Sequence, residues 1–299
     1  MYAGDQMNKD NLSRRAYLLH LNAMSLANGM RSGTFKSLYR GQGIEFNGVR
    51  EYLRGDDVRA IDWNVTARMG KPFVKIFEEE RELDVFIVID RSLSMATGSG
   101  KKNRLDLAFE CAELLTFASY LNGSPVGCVI FDGQINFSCE PKSGKNHALL
   151  VLAELDKKRE SIEGSAIDNA LRGASKLLKK RSLVFVISDF RAEGWESSFG
   201  ILCQKNDVIA LRITDTLDEK LPELGSVVFK DPETDYECVL PTSGGKFKRK
   251  WSENFQQMTF KWRKNCIRHG GFPFEINTSQ DATCELIKLF CNREIFSLG

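Results

Sequence analysis

Asp90, Ser92 and Ser94 close the run Asp84-Val-Phe-Ile-Val-Ile-Asp-Arg-Ser-Leu-Ser94 with the spacing Asp-x-Ser-x-Ser. All three side chains offer oxygen, the donor that hard divalent cations such as magnesium and manganese prefer. Val85 to Ile89 is a short apolar run rich in β-branched residues, the pattern of a parallel strand covered on both faces. In open α/β sheets, ligand-binding groups gather beyond the carboxyl ends of the strands, which is where these three residues fall. The same spacing also suits a turn in which Asp90 and the serines satisfy loose backbone amides. From the spacing alone both readings stand, a metal loop and a capped turn.

Two resemblances narrow the choice. Asp90-Arg-Ser-Leu-Ser-Met95 resembles the metal-ion-dependent adhesion site of von Willebrand factor type A domains, whose first loop carries Asp-x-Ser-x-Ser. In that family a second loop contributes a Thr shortly before a helix that begins in an Ala-Leu pair. Gly164-Ser165-Ala-Ile-Asp-Asn-Ala170-Leu171 matches it with Ser165 in the Thr place. A third loop contributes an Asp at the end of another apolar strand, and Leu183-Val-Phe-Val-Ile-Ser-Asp189 supplies one. The resemblance therefore implies a magnesium or manganese site built from Asp90, Ser92, Ser94, Ser165 and Asp189. It also implies a protein partner whose Asp or Glu completes the coordination.

The second resemblance covers more of the chain. Gly43-Ile-Glu-Phe46, Val49-Arg-Glu-Tyr52, Gly55-Asp-Asp-Val-Arg59 and Ile61-Asp-Trp63, followed by Ala67-Arg68, are similar to the signature of the bacterial domain of unknown function 58 family. Members resemble the type A fold and are often associated with MoxR-type AAA+ ATPases. The resemblance implies a metal-dependent interaction module that works with such an ATPase in complex assembly or chaperone-like maturation.

Other chemistries find few groups. His20, His147 and His269 each lack a metal-spaced partner. Ser92 and Ser94 sit in no nucleophile elbow, and the chain has no Gly-x-x-x-x-Gly-Lys phosphate loop. Asp90 and Asp189 with magnesium could serve phosphoryl transfer, but Asp-x-Ser-x-Ser lacks the paired acid of a catalytic dyad, so the expectation is no enzyme. Lys246, Lys248, Arg249, Lys250, Lys261, Arg263, Lys264 and Arg268 offer a phosphate-binding face as an alternative. No nucleic-acid motif accompanies them, and a solvated helix face is the plainer reading.

The elements that must position these groups follow from the apolar pattern. The alternation of strands and helices reads as α/β, a mostly parallel central sheet flanked by helices with an N-terminal extension, and the resemblance implies that it is von Willebrand factor type A-like. Residues 1–79 carry the extension and signature, and residues 80–299 the domain. Asn11 to Met30 reads as an amphipathic helix, either packed on the domain or serving as a docking arm. Residues 32–70 read as short strands and turns whose interleaved charges brace the segment on the domain, a reading preferred to a partner surface. Phe73 to Phe77 is the strand expected to follow, and Phe247, Trp251, Phe255, Met258 and Trp262 recur at helical spacing as a core stripe.

Composition bounds the rest. Over 299 residues, 27% charged and 42% hydrophobic residues with a net charge of +2 describe an ordinary globular chain, neither a polycation nor an acidic tail. No stretch approaches the ~20 apolar residues needed to cross a bilayer, and no signal core opens the chain. A cytoplasmic protein with free thiols is expected, since the eight cysteines include no Cys-x-x-Cys pair.

Overall fold

Residues 22–28, 30, 40–80, 84–157, 164–230 and 237–291 are described by the structure, a computed structural model. Residues 22–28 form helix α1, with Leu26, Ala27 and Met30 buried in the main core. The Asn122 side chain donates to the Ala27 carbonyl at 3.3 Å, so this helix packs on the domain. The rest of the expected helix, residues 11–21, lies outside the described residues.

Strand β1 (Arg40–Glu51), helix α2 (Trp63–Met69) and strand β2 (Phe73–Glu80) follow. β1 and β2 form their own two-stranded antiparallel sheet, from Glu51 opposite Phe73 to Arg40 opposite Glu80. A strand of 12 residues replaces the short strands expected here. Two bulges and scattered Arg and Gly residues break the alternation by which a strand is read from sequence. Asp62 caps α2 by accepting from the Asn64 and Val65 amides. Arg50 grips Asp56 with two bonds of 2.6 and 2.8 Å, and Lys71 pairs with Glu51 at 2.9 Å. These pairs run within the segment, so the expected brace ties the ribbon to itself. Leu53, Val58, Trp63 and Met69 remain exposed on it.

The central sheet begins with β3 (Asp84–Asp90), continues through helix α3 (Arg104–Leu121) to β4 (Val126–Phe131), and turns back as β5 (Ile135–Lys142). Helices α4 (Lys145–Asp156) and α5 (Ile167–Leu177) lead to β6 (Ser182–Ser188), and α6 (Glu196–Lys205) to β7 (Asp207–Thr214). A short helix α7 (Thr216–Glu219) precedes the hairpin β8 (Ser226–Lys230) and β9 (Glu237–Pro241). Helix α8 (Gly245–Arg268), strand β10 (Phe272–Asn277) and helix α9 (Ala282–Cys291) complete the described chain. The strand order is β10-β7-β6-β3-β4-β5, parallel throughout except that β5 runs against β4.

Period-two alternation sends the two faces of β3 to different cores. Val85, Ile87 and Ile89 pack with α3, α4 and α9 through Leu107, Cys111, Val151, Leu286 and Phe290. Phe86 and Val88 pack with α5, α6 and α8 through Leu171, Phe199, Trp262 and Cys266. Both faces are covered, which is why the run reads as continuously apolar.

The stripe on α8 is corrected in one place. Trp262 is buried, but Met258 is 56% exposed. The Arg212 guanidinium lies over the Phe255 and Trp262 rings, 5.5 and 5.3 Å from their centroids, and donates to Thr259 Oγ1 at 3.0 Å. The packed ridge therefore runs through Phe255, Thr259, Trp262 and Cys266, passing beside Met258. All eight cysteines are free thiols. Among the described residues, no helix is long and apolar enough to cross a membrane.

Candidate metal centre

β3 is the strand where the chain's direction of winding reverses: α3 carries it to β4 on one side, and later crossovers place β6 on the other. The crevice at the carboxyl ends of β3 and β6 is thus the topological switch point of the sheet. Asp90 closes β3 there and is 1% exposed. Its Oδ1 accepts from the Ser92 amide at 2.9 Å, and its Oδ2 accepts from Ser188 Oγ at 2.7 Å. Burial, reinforced by the nearby charge of Asp189, pushes the Asp90 carboxyl up to about 7 against those hydrogen bonds.

The first loop is compact. Ser92 and Ser94 are buried, with their hydroxyl oxygens 3.1 Å apart. Arg91, between Asp90 and Ser92, is drawn off by the Lys157 carbonyl at 3.0 Å and the Phe109 ring. The second loop is pinned from β4: the Ala166 amide donates to the Asp132 carbonyl at 2.6 Å, and α5 starts at Ile167. Ser165 Oγ, just before that anchor, is buried without a hydrogen-bond partner.

The third loop begins at Asp189, which is 3% exposed. Its Oδ1 accepts from the Arg191 amide at 3.1 Å, whereas Oδ2 is buried with no hydrogen bond, the Arg191 Nε standing 3.6 Å away. Phe190 has φ of 54°, the one non-glycine residue at positive φ among those described. Its ring packs on Trp195 and Trp262, which hold this uncommon backbone in place.

Outside these three loops, α7 and the residue before it act as a clasp. Asp218 Oδ1 accepts from Arg104 Nη2 at 2.5 Å and Arg191 Nη2 at 2.6 Å, joining the start of α3 to the third loop. Asp215 accepts from the Ser99 amide and hydroxyl at 3.0 and 2.5 Å and from Thr278 Oγ1 at 2.7 Å. Burial pushes its carboxyl upward, but the bonds from Ser99, Leu217 and Thr278 outweigh it and hold the group at about 2.

The five residues singled out from sequence therefore stand on three loops of one sheet edge. Among the described residues, no cluster of three or more His, Cys, Asp or Glu side chains is poised for a metal. The candidate set here is instead two carboxylates and three hydroxyls, all hard oxygen donors that fit magnesium or manganese. Two buried atoms without hydrogen bonds, Ser165 Oγ and Asp189 Oδ2, the latter with only the Arg191 guanidinium at 3.6 Å, are the fit that the structure itself offers, because buried polar groups ordinarily make one. Sequence reading missed Ser188, which holds Asp90, and Asp132, which anchors the second loop and accepts from the Gln134 amide and Asn136 side chain. The signal was there, since each lies at the carboxyl end of an apolar strand.

Sheet order and crevice define a von Willebrand factor type A-like α/β domain with an oxygen-lined site at the switch point. More particularly, the chain belongs to the family described as "Protein of unknown function DUF58", which matches residues 48–259. It is 31% identical over 223 residues to Uncharacterized protein Rv1480 of Mycobacterium tuberculosis, covering 72% of this chain and 69% of that one. Among solved structures it is similar to the conserved hypothetical protein BatB from Bacteroides thetaiotaomicron, with 18% identity and a TM-score of 0.46 over 69% of this chain and 96% of that one. The SpRpn10 VWA domain is similar at 12% identity and a TM-score of 0.37, over 69% and 94%.

Proposed function

We propose that this chain is a metal-dependent protein-interaction module. Asp90, Ser92, Ser94, Ser165 and Asp189 would hold magnesium or manganese, which keeps water or open positions when bound by so few protein oxygens. When bound, the ion would offer a coordination position to an Asp or Glu of a protein partner. The observation that supports this reading is the pair of buried oxygens without hydrogen bonds, Ser165 Oγ and Asp189 Oδ2, on two separate loops at the carboxyl edge of the sheet. We read the module as non-enzymatic, because Asp90 is held by Ser92 and Ser188 as a fixed ligand rather than left free as a base. The family resemblance supports a MoxR-type AAA+ ATPase as partner, in complex assembly or chaperone-like maturation, within the cytoplasm. In this reading residues 1–79 form the extension and 80–299 the metal-bearing domain.

Titration calorimetry with magnesium and with manganese tests the site. Wild type should bind weakly and Asp90→Ala not at all, with its thermal melt still cooperative. A pull-down with a MoxR-type ATPase should then require the cation and fail for Asp90→Ala. Equal binding by wild type and Asp90→Ala, or no response to either cation, would overturn the reading.

A further inference from the structure

Helix α8 carries eight cations against one acid, Glu253, and that acid is already paired with Arg249 at 2.8 Å. From Asn254 to Arg268 there is no acid at all. With Phe255, Thr259, Trp262 and Cys266 on the packed side, the helical repeat puts Phe260, Lys264 and Ile267 on the opposite crest at i, i+4 and i+7. Phe260 is 69% and Ile267 58% exposed. Lys261 and Arg268 flank that crest on one side and Arg263 on the other, all exposed. None of these four cations forms an ion pair among the described residues, whereas Lys248 and Arg249 nearer the start of the helix do.

We infer that the C-terminal half of α8 is a docking face for an anionic lipid surface. Charge complementarity selects the partner: unpaired cations attract acidic headgroups, and a large apolar pair on the crest enters the headgroup boundary. A nucleic-acid face would be served by polar or cationic groups at the crest, since phosphates reward neither Phe260 nor Ile267. The placement also leaves the metal crevice free. Trp262 packs on Phe190 of the third loop and the Asn265 side chain reaches Glu196 at the start of α6, whereas Phe260, Lys264 and Ile267 stand on the opposite side of the helix. The candidate metal loops occupy the carboxyl edge, and one molecule can present both surfaces at once.

Co-sedimentation of the full chain with vesicles of phosphatidylcholine, alone or mixed with phosphatidylglycerol, tests this. Wild type should bind the mixed vesicles only, and release as salt is raised. The pair Phe260→Ser and Ile267→Ser, and separately Lys261→Glu and Lys264→Glu, should each lower vesicle binding on the order of tenfold or more. Their thermal melts should match wild type, because all four side chains are exposed, and Asp90→Ala should bind vesicles normally. Absence of binding to the mixed vesicles, equal binding to neutral ones, or full binding by the Ser pair would overturn the inference. So would displacement by mixed-sequence DNA that the Ser pair still binds as wild type does, which would make the face a polyphosphate site.

Discussion

Ser188 Oγ donates to Asp90 Oδ2 at 2.7 Å while accepting from the Phe190 amide at 3.0 Å, so one hydroxyl couples the loop after β3 to the loop after β6. Ser188→Ala would leave a buried carboxylate oxygen and a buried amide without a partner. We expect a loss of about 1–3 kcal/mol in urea unfolding and weaker cation binding by calorimetry. A variant with unchanged stability would mean that Asp90 is held by the Ser92 amide alone.

Ser165 separates a ligand role from a structural one. Its Oγ has no hydrogen-bond partner, so Ser165→Ala should leave stability unchanged or raise it by about 1 kcal/mol. Cation affinity should nevertheless fall. Ser165→Thr keeps the oxygen and restricts its rotamer, and should preserve or tighten binding.

At Asp218 the charge balance is local and buried. Arg104 is 5% exposed in its side chain and leans on this carboxylate, with a second hold on Thr97. Asp218→Ala would strand that guanidinium and should cost about 3–5 kcal/mol, read by thermal or urea melts. A loss well below this would show that the Thr97 carbonyl and hydroxyl suffice.

Trp262 joins both the aromatic group under Phe190 and the cation stack on Arg212. Trp262→Ala should destabilise by about 3–5 kcal/mol. An unaltered melt would remove α8 from the core.

Asp215 sets a pH dependence. Its folded carboxyl, at about 2, lies below the unfolded value near 4, so its contribution is fully present above that unfolded value. It is lost as pH falls from roughly 4 through 2, amounting to about 2 kcal/mol. Asp215→Asn should flatten the acid limb of the stability curve over that window while leaving its shape at neutral pH. An unchanged limb would show that other carboxylates govern acid unfolding.

Much of the sheet was legible in the sequence because β3, β4, β6 and β7 are buried on both faces and so carry apolar runs, that of β7 broken only by Arg212 near its end. Of the β1–β2 ribbon, β2 was read at Phe73 to Phe77, but β1 was read only as short strands and turns, since a two-stranded sheet imposes no such pattern. The three candidate loops were picked out through Asp90, Ser165 and Asp189, each within a motif. Ser188 and Asp132 stand where a strand-end signal could point, but the bonds that join Ser188 to Asp90 and the Asp132 carbonyl to Ala166 cross long stretches of chain, which no local spacing records. Met258 was misplaced for a related reason: Arg212, from another strand, decides which helical ridge is packed.

The pairing of β3 with β6 runs in parallel from Asp84 opposite Ser182 to Ile89 opposite Ile187. It brings Asp90 to Ser188 across 98 residues of chain. A slip of one residue would turn every side chain of either strand to the wrong face. The crevice therefore exists only after a long loop has closed in the right register, among the slowest kinds of step in folding. Any ligand that needs all three loops binds the finished molecule and not its precursors, so binding itself certifies that assembly is complete.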